Sequence, residues 1–121
     1  KENDLQKVKE SLRDNPFVIN ERDKNGWTAL IISCFKGNYQ LIKLLLRMGA
    51  DPNIPNFKRT FPLMYAKDFA QISGNTSGIE ILLRNGADIK VVDIFNKSIF
   101  DYLNEDNPSY DKIMNALNKY N

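Results

Sequence analysis

Residues 23–55 read DKNGWTALIISCFKGNYQLIKLLLRMGADPNIP and form one complete unit of the sequence. The unit contains a polar turn, a short apolar helix, a Gly-Asn break, a second apolar helix and a closing Gly-Ala-Asp. Its end, residues 47–51, returns 37 residues later as residues 84–88. Such self-similarity is typical of stacked repeats, in which each unit buries its apolar face against the next. The sequence therefore predicts a repeat array.

Local signals set the expected boundaries inside this unit. Residues 23–26 predict a tight turn, because Asn or Gly accepts a positive φ that a β-branched residue does not. Thr28 is the expected N-cap of a first helix through Phe35, and Gly37 the expected left-handed end of that helix. The second helix, over residues 39–48, is too apolar all round for a solvated helix and predicts neighbours on both sides.

The whole chain is predicted to be a single domain of four units. These are a partial opening repeat at 1–22, the complete repeat at 23–55, an expanded repeat at 56–92 and a closing repeat at 93–121. In the opening repeat, Leu5, Val8 and Leu12 follow helical spacing and form an open apolar face. In the expanded repeat, residues 60–66 match 27–33, but the repeat's end matches at the longer spacing of 37, so four residues are inserted between Lys67 and Ser73. We expect them to add about one helical turn or to lengthen the loop.

The closing repeat is predicted to contain two helices. Residues 98–103 take the position of the first helix. Asn107 is the expected N-cap of the second, with Pro108 at its first position. The polar outer face of this last helix is what the end of a stack requires.

Composition narrows the classes of partner. Seventeen basic and 15 acidic residues leave a net charge of +2, which favours neither a nucleic-acid binder nor a membrane-surface protein. No apolar run approaches the ~20 residues of a membrane-spanning helix, so membrane insertion is not expected. The chain starts without Met or a signal-like segment, which we interpret as trimming or processing. Its compartment stays open, with the cytoplasm favoured.

Residues suited to catalysis or metal binding are scarce. The chain has no histidine, the commonest general base and metal ligand. The single cysteine, Cys34, lies in an apolar helix and is interpreted as a small buried hydrophobe rather than a reactive thiol. The acidic pair Glu105 and Asp106 has no third group beside it. The sequence predicts no enzyme activity, no catalytic residue, no metal and no cofactor.

The complete unit resembles the ankyrin repeat. Residues 23–30 (DKNGWTAL), the Gly-Asn break, the Leu44–Leu46 run and Gly-Ala-Asp agree with that pattern almost position by position. Ala29 stands where the family usually has proline, and Ile31 where it has a histidine that links neighbouring loops. Thr28 and Ser98 are expected to make those links here. Arg59 replaces the turn glycine of the third unit, which leaves the form of that turn open.

The resemblance implies an all-α ankyrin-type helix-turn-helix repeat solenoid with short β-hairpin loops. It also implies non-catalytic binding of a protein partner through the hairpin tips and the concave face of the first helices. Carried onto this sequence, that surface comprises Lys24, Asn25, Trp27, Phe35, Lys36, Phe57, Lys58, Thr60, Phe69, Phe95 and Lys97. Exposed aromatic residues with a basic rim are typical of binding hot spots. The alternative is that these aromatics cover the core and the lysines are ordinary solvated residues.

Two functional hypotheses follow. In the first, the chain is a monomeric binder that inhibits or regulates one protein, in the manner of an inhibitor or immunity partner. In the second, it is a terminal piece of a longer array, whose open face at Leu5, Val8 and Leu12 stacks on upstream repeats or on a second copy. The four lysines of the predicted surface could steer an acidic partner to the same face.

Overall fold

The structure is a computed structural model that describes residues 6, 7, 9, 10, 13 and 16–120. The apolar face predicted from Leu5, Val8 and Leu12 lies outside these residues. The described positions between 6 and 13 are helical and exposed.

Between residues 16 and 120, the chain folds into five α-helices and two 3-10 helices. In order they are a 3-10 helix at Pro16–Asn20, α1 at Ala29–Lys36, α2 at Tyr39–Arg47, α3 at Pro62–Ser73, α4 at Ser77–Arg84, a 3-10 helix at Ile99–Tyr102 and α5 at Tyr110–Asn118. No strand occurs among these residues, so the predicted all-α class is confirmed. The loops expected to be short β-hairpins are tight turns in the structure, because their main-chain hydrogen bonds do not extend into paired strands.

The ends of α1 follow from the residues predicted to set them. The Thr28 side chain accepts a hydrogen bond from the Ile31 N–H at 3.1 Å, and Gly37 ends the helix with a φ of 68°. Gly37 is required for a second reason. A Cβ atom on it would lie 2.2 Å from the ring of Phe69 on α3. Only glycine lets these two units approach so closely.

The helices form two layers. α1, α3 and the second 3-10 helix pack in sequence as the first layer, while α2, α4 and α5 form the second. A link of only two residues, Gly37 and Asn38, turns the chain from α1 into α2, and the Asn38 side chain caps α2 by accepting from the Leu41 N–H. So short a link makes α1 and α2 antiparallel.

One apolar core runs through both layers. It extends from Leu30 in α1 to Leu117 in α5 and includes Ile42, Leu63 and Leu82, all at most 2% exposed. Complete burial of such a side chain contributes roughly 1.5–3 kcal/mol. Cys34 belongs to the same cluster, and burial raises the pKa of its thiol. The thiol is thus buried and protonated, as its helix position predicted.

The four inserted residues lengthen α3. It has 12 residues where α1 has 8, a difference of one helical turn. The first helix of the last unit is shorter than the predicted 98–103, because only the 3-10 helix Ile99–Tyr102 forms there. The predicted start of the last helix is wrong by two residues: α5 begins at Tyr110, and Asn107 instead accepts a hydrogen bond from the Ser109 N–H.

Asparagine side chains link the units along the stack. Asn20 accepts a hydrogen bond from the Asp51 N–H at 2.8 Å, and Asn53 accepts one from the Asp88 N–H at the same distance. Asn53 also donates to the Gly86 carbonyl at 3.0 Å. The expectation for Thr28 and Ser98 is wrong, because both hydroxyls cap the helices that follow them.

Candidate functional site

Three turns project from the first layer with the same hydrogen-bond pattern. They occupy residues 23–27, 56–60 and 93–97, called here the first, second and third turns. In each, the N–H of the first residue donates to the carbonyl of the fifth at 2.9–3.0 Å, and the N–H of the fourth donates to the carbonyl of the first. The side-chain oxygen of the first residue accepts from the N–H groups of the third and fifth at 2.9–3.1 Å. Asp or Asn at the first position therefore fixes each turn from within.

The fourth residue of each turn is left-handed. Gly26 has a φ of 83°, Arg59 of 57° and Asn96 of 59°. Arg59 adopts this conformation although it has a Cβ atom, which costs roughly 1–2 kcal/mol. The second turn thus keeps the form of the other two, which the sequence left open.

The tips of the turns are exposed and increasingly apolar along the stack. The two tip residues are Lys24 and Asn25 in the first turn, Phe57 and Lys58 in the second, and Ile94 and Phe95 in the third. Phe57 is 60% exposed, Ile94 54% and Phe95 70%. The first two turns contact each other, since the Phe57 N–H donates to the Asn25 carbonyl at 3.3 Å.

Behind the tips, three aromatic rings pack together. The ring centroids of Trp27 and Tyr65 are 5.0 Å apart, those of Trp27 and Phe35 5.6 Å, and those of Phe35 and Tyr65 5.8 Å. The Tyr65 hydroxyl accepts a hydrogen bond from the buried Asn56 side chain at 3.1 Å. The three rings contact one another in edge-to-face and tilted arrangements and form what is called here the aromatic floor, between the first and second turns.

Two clefts lie between successive turns. The first cleft, between the first and second turns, has a volume of about 300 Å³ and is lined by Lys24, Asn25, Trp27, Asn56, Phe57, Lys58 and Tyr65. The second cleft, between the second and third turns, has a volume of about 310 Å³ and is lined by Thr60, Met64, Tyr65, Lys67, Asp68, Asp93, Phe95 and Tyr102. Tyr65 forms the wall that the clefts share.

Asp93 and Tyr102 are joined in the second cleft. The Tyr102 hydroxyl donates to Asp93 Oδ2. This bond, together with those from the Lys97 and Phe95 N–H groups, lowers the pKa of Asp93 below its ordinary value. The same bond raises the pKa of Tyr102 to about 12. Both effects reflect a carboxylate that prefers to stay charged beside a neutral phenol.

The two lysines at the second cleft also interact with groups of the protein itself. Lys67 stands at the position that Cys34 has in the preceding repeat, and its side chain is only 6% exposed. Its ammonium lies 2.6 Å from an Asp68 oxygen and 5.2 Å from the centroid of the Tyr102 ring. The ammonium of Lys97 lies 5.8 Å from the same centroid. Such contacts stabilise a cation through the negative face of the ring.

Most of the residues predicted from sequence come together here. Lys24, Asn25, Trp27, Phe57 and Lys58 line the first cleft, and Thr60 and Phe95 line the second. Phe35 is one of the three rings of the aromatic floor, and Lys97 approaches Tyr102, but neither lines a cleft. Lys36 and Phe69 line neither cleft: Lys36 is the exposed last residue of α1, and Phe69 covers Gly37.

Sequence reasoning missed Tyr65, Lys67 and Tyr102. A usable signal was present, because Tyr65 and Tyr102 each lie nine residues after the first residue of their turn, as Ile32 does in the complete repeat. Aligning the units on their turns would have placed Ile32, Tyr65 and Tyr102 at equivalent positions of the first layer. Lys67 has no such counterpart, because the equivalent position in the complete repeat is apolar.

The described residues contain no group of three or more Cys, Asp or Glu side chains able to hold a metal ion. Between residues 16 and 120, no helix is long and apolar enough to cross a membrane. What the site offers is apolar contact, aromatic faces and a few fixed charges, which are the means of recognition.

Known proteins share this sequence pattern. The pattern of ankyrin repeats, in three copies, matches residues 1–93. Putative ankyrin repeat protein L86 of Acanthamoeba polyphaga mimivirus is 32% identical over 104 residues, which cover 75% of this chain and 18% of that protein. Protein phosphatase 1 regulatory subunit 12A of Mus musculus is 32% identical over 83 residues, 69% of this chain and 8% of that protein.

NAD-capped RNA hydrolase NUDT12 of Homo sapiens is 36% identical over 58 residues, 48% of this chain and 13% of that protein. Its name describes a whole protein of which only that small part is matched. This chain spans less than a fifth of the length of each of these relatives. Ankyrin repeats are generally protein–protein interaction modules and are typically non-catalytic. The matched pattern and the stacked turn-helix-helix units agree, and the chain belongs to the ankyrin-repeat family.

Proposed function

We propose that this chain is a non-catalytic module that binds a protein partner across the first and second clefts. The observation that carries the proposal is the exposure of large apolar side chains at the turn tips, with Phe57 60% and Phe95 70% exposed. Burying such a ring against a partner contributes roughly 1.5–3 kcal/mol. Exposed aromatic side chains grouped around clefts are typical of interaction sites.

The rigidity of the turns supports the same proposal. Each turn is closed by main-chain hydrogen bonds and by the side chain of its first residue. The contact between Gly26 and Phe57 is so close that a Cβ atom on Gly26 would lie 2.6 Å from the Phe57 nitrogen. A surface that is already ordered loses little conformational entropy when a partner binds.

The test compares two double variants in affinity capture followed by mass spectrometry. The first, Phe57→Ser/Phe95→Ser, removes the exposed rings of the tips. The matched control, Met48→Ser/Ile72→Ser, removes exposed apolar side chains away from both clefts, which are 43% and 87% exposed. We expect the first variant to lose partners that the wild type and the control retain, by at least tenfold in recovered amount. Circular dichroism checks that both variants stay folded. Equal recovery by all three proteins would contradict the proposal.

A role as an inhibitor or immunity-type regulator is a narrower hypothesis, which an identified partner would test through its activity with and without this chain. A second candidate is a structural part in a longer array. The length of the relatives favours it, since this chain spans less than a fifth of each. Sedimentation equilibrium of residues 1–121 distinguishes the two: a monomer favours the free binder, and concentration-dependent association favours stacking.

A further inference from the structure

The two clefts differ in charge. The charged side chains that line the first cleft are Lys24 and Lys58, whereas Lys67, Asp68 and Asp93 line the second. The lining side chains therefore carry formal charges of +2 and −1. Lys97, whose ammonium lies 5.8 Å from the ring centroid of Tyr102, brings the surroundings of the second cleft to zero. Neither Lys24 nor Lys58 forms an ion pair with another described residue. The nearby carboxylate of Asp23 already accepts hydrogen bonds from the N–H groups of its own turn.

The charges of the second cleft are satisfied within the protein. Lys67 is paired with Asp68 at 2.6 Å, and Asp93 accepts the hydroxyl of Tyr102. A partner charge placed there would have to compete with these bonds. Apart from Thr60, the other side chains that line this cleft are apolar or aromatic, and Phe95 is 70% exposed. The second cleft therefore suits an uncharged apolar side chain.

We propose, on the basis of the binding face proposed above, that the partner presents an extended acidic–apolar segment. Its acidic side chain lies between Lys24 and Lys58 in the first cleft, and its apolar side chain lies against Tyr65 and Phe95 in the second. Helices packed side by side are about 8–10 Å apart, and an extended chain advances about 3.3 Å per residue. The acidic and apolar positions of the segment are thus about three residues apart.

Two other ligand classes fit the first cleft less well. A quaternary ammonium ion requires aromatic rings that stand around an open space. The rings of Trp27, Phe35 and Tyr65 instead contact one another, with centroids 5.0–5.8 Å apart, and two lysines would repel the cation. A nucleic acid would find cations in the first cleft, but its next phosphates would meet Asp68 and Asp93.

A phage-displayed library of random octapeptides, selected on the whole chain, tests the inference without an assumed sequence. A selected peptide is then titrated in solution. Trp27 is the single tryptophan of the chain and lines the first cleft, so its fluorescence reports binding there directly. We expect selected peptides to carry Asp or Glu about three residues from Leu, Phe or another large apolar residue. We expect Lys24→Glu/Lys58→Glu to weaken the peptide by at least tenfold, and higher salt to weaken it in the wild type.

The variants separate the two proposals. If Phe57→Ser/Phe95→Ser abolishes binding but the selected peptides lack acidic residues, or Lys24→Glu/Lys58→Glu leaves affinity unchanged, the binding face stands and the acidic–apolar segment is wrong. If the peptides bind all variants equally, both proposals are wrong. A library that yields no binder, or a poly(U) oligonucleotide that binds more tightly than the best peptide, also overturns the inference. The Met48→Ser/Ile72→Ser variant again serves as the folded control.

Discussion

The hydrogen bond between Tyr102 and Asp93 makes the second cleft sensitive to pH. The pKa of Tyr102 is raised from 10.0 to about 12, so its contribution to stability is fully present below pH 10 and is lost as pH rises through about 12. The pKa of Asp93 is lowered from 3.8, so its contribution is present above that pH and is lost as pH falls through the lower, folded-state value. Between these limits the pair is intact.

We therefore predict that Tyr102 ionises near pH 12, well above its ordinary pKa of 10.0. NMR of protein labelled with ¹³C at tyrosine Cζ follows each ring separately through an alkaline titration. In Asp93→Asn, the Oδ1 acceptor of the turn is kept while the charge is removed, and the pKa of Tyr102 should fall back toward 10. A Tyr102 that titrates near pH 10 in the wild type would show that the bond does not persist in solution.

Gly37 is constrained both by its backbone and by a neighbour. We predict that Gly37→Ala lowers the free energy of unfolding by about 2–5 kcal/mol. About 1–2 kcal/mol comes from a Cβ atom in the left-handed conformation, and about 1–3 kcal/mol from the clash with Phe69. Gly49→Ala is the control, because Gly49 is also left-handed but has nothing within 4 Å of an added Cβ.

Urea unfolding followed by Trp27 fluorescence measures both variants. Gly37→Ala should cost clearly more than Gly49→Ala, and the excess should shrink in a Phe69→Leu background, where the ring is gone. Equal costs for the two glycines would mean that the Phe69 ring moves aside freely.

At the level of elements, the loops are linked by asparagines rather than by the histidine that the family pattern usually contains. Asn53 makes two hydrogen bonds to the next unit, and Asn20 makes one. We predict that Asn53→Ala lowers the free energy of unfolding by about 1–3 kcal/mol and Asn20→Ala by about half as much, at roughly 0.5–1.5 kcal/mol per bond. Chemical denaturation of the two variants gives the comparison. A larger loss for Asn20→Ala would contradict it.

The lengths of the elements were predictable only in part. Counting the inserted residues predicted either an extra helical turn or a longer loop, and the structure places them in α3 as about one turn. A helix was predicted over residues 98–103, but its reduction to the short 3-10 helix Ile99–Tyr102 was not. After Tyr102, the side chains of Asn104 and Asn107 accept hydrogen bonds from the N–H groups of Asp106 and Ser109. These local bonds compete with helix formation, and the spacing of apolar residues does not predict them.

For the molecule as a whole, the turn tips were more predictable than the clefts between them. The tips follow from a turn pattern that recurs at known spacings, whatever the neighbouring units do. The position of Tyr65 between the clefts depends on how closely α1 and α3 pack. The loop links expected of Thr28 and Ser98 were wrong for the same reason, and the position of Phe69 over Gly37 was missed for it too. Contacts between units depend on the approach of two surfaces, which a pattern within one unit does not contain.

The described chain should unfold as one cooperative unit, although arrays of this kind are built from separate repeats. Its core is continuous from Leu30 to Leu117, and α5 is held by Lys112, which donates to the Gly74 carbonyl at 2.7 Å. In a stack this short, losing the last unit exposes the faces of α3 and α4 on which it packs. Ile113→Ala removes a fully buried side chain of α5 and should lower the free energy of unfolding by about 2–5 kcal/mol.

We predict that this loss appears equally in two probes. Trp27 fluorescence reports the first cleft, which no residue of α5 lines, and far-UV circular dichroism reports all helices. In Ile113→Ala, both urea midpoints should fall together, because the first repeat cannot keep its structure once its neighbours unfold. Ile72→Ala, at an 87% exposed position, should leave both midpoints unchanged. If circular dichroism in Ile113→Ala falls at lower urea while Trp27 fluorescence keeps its wild-type midpoint, the complete repeat is stable without the closing unit, and the units are coupled more weakly than their shared core implies.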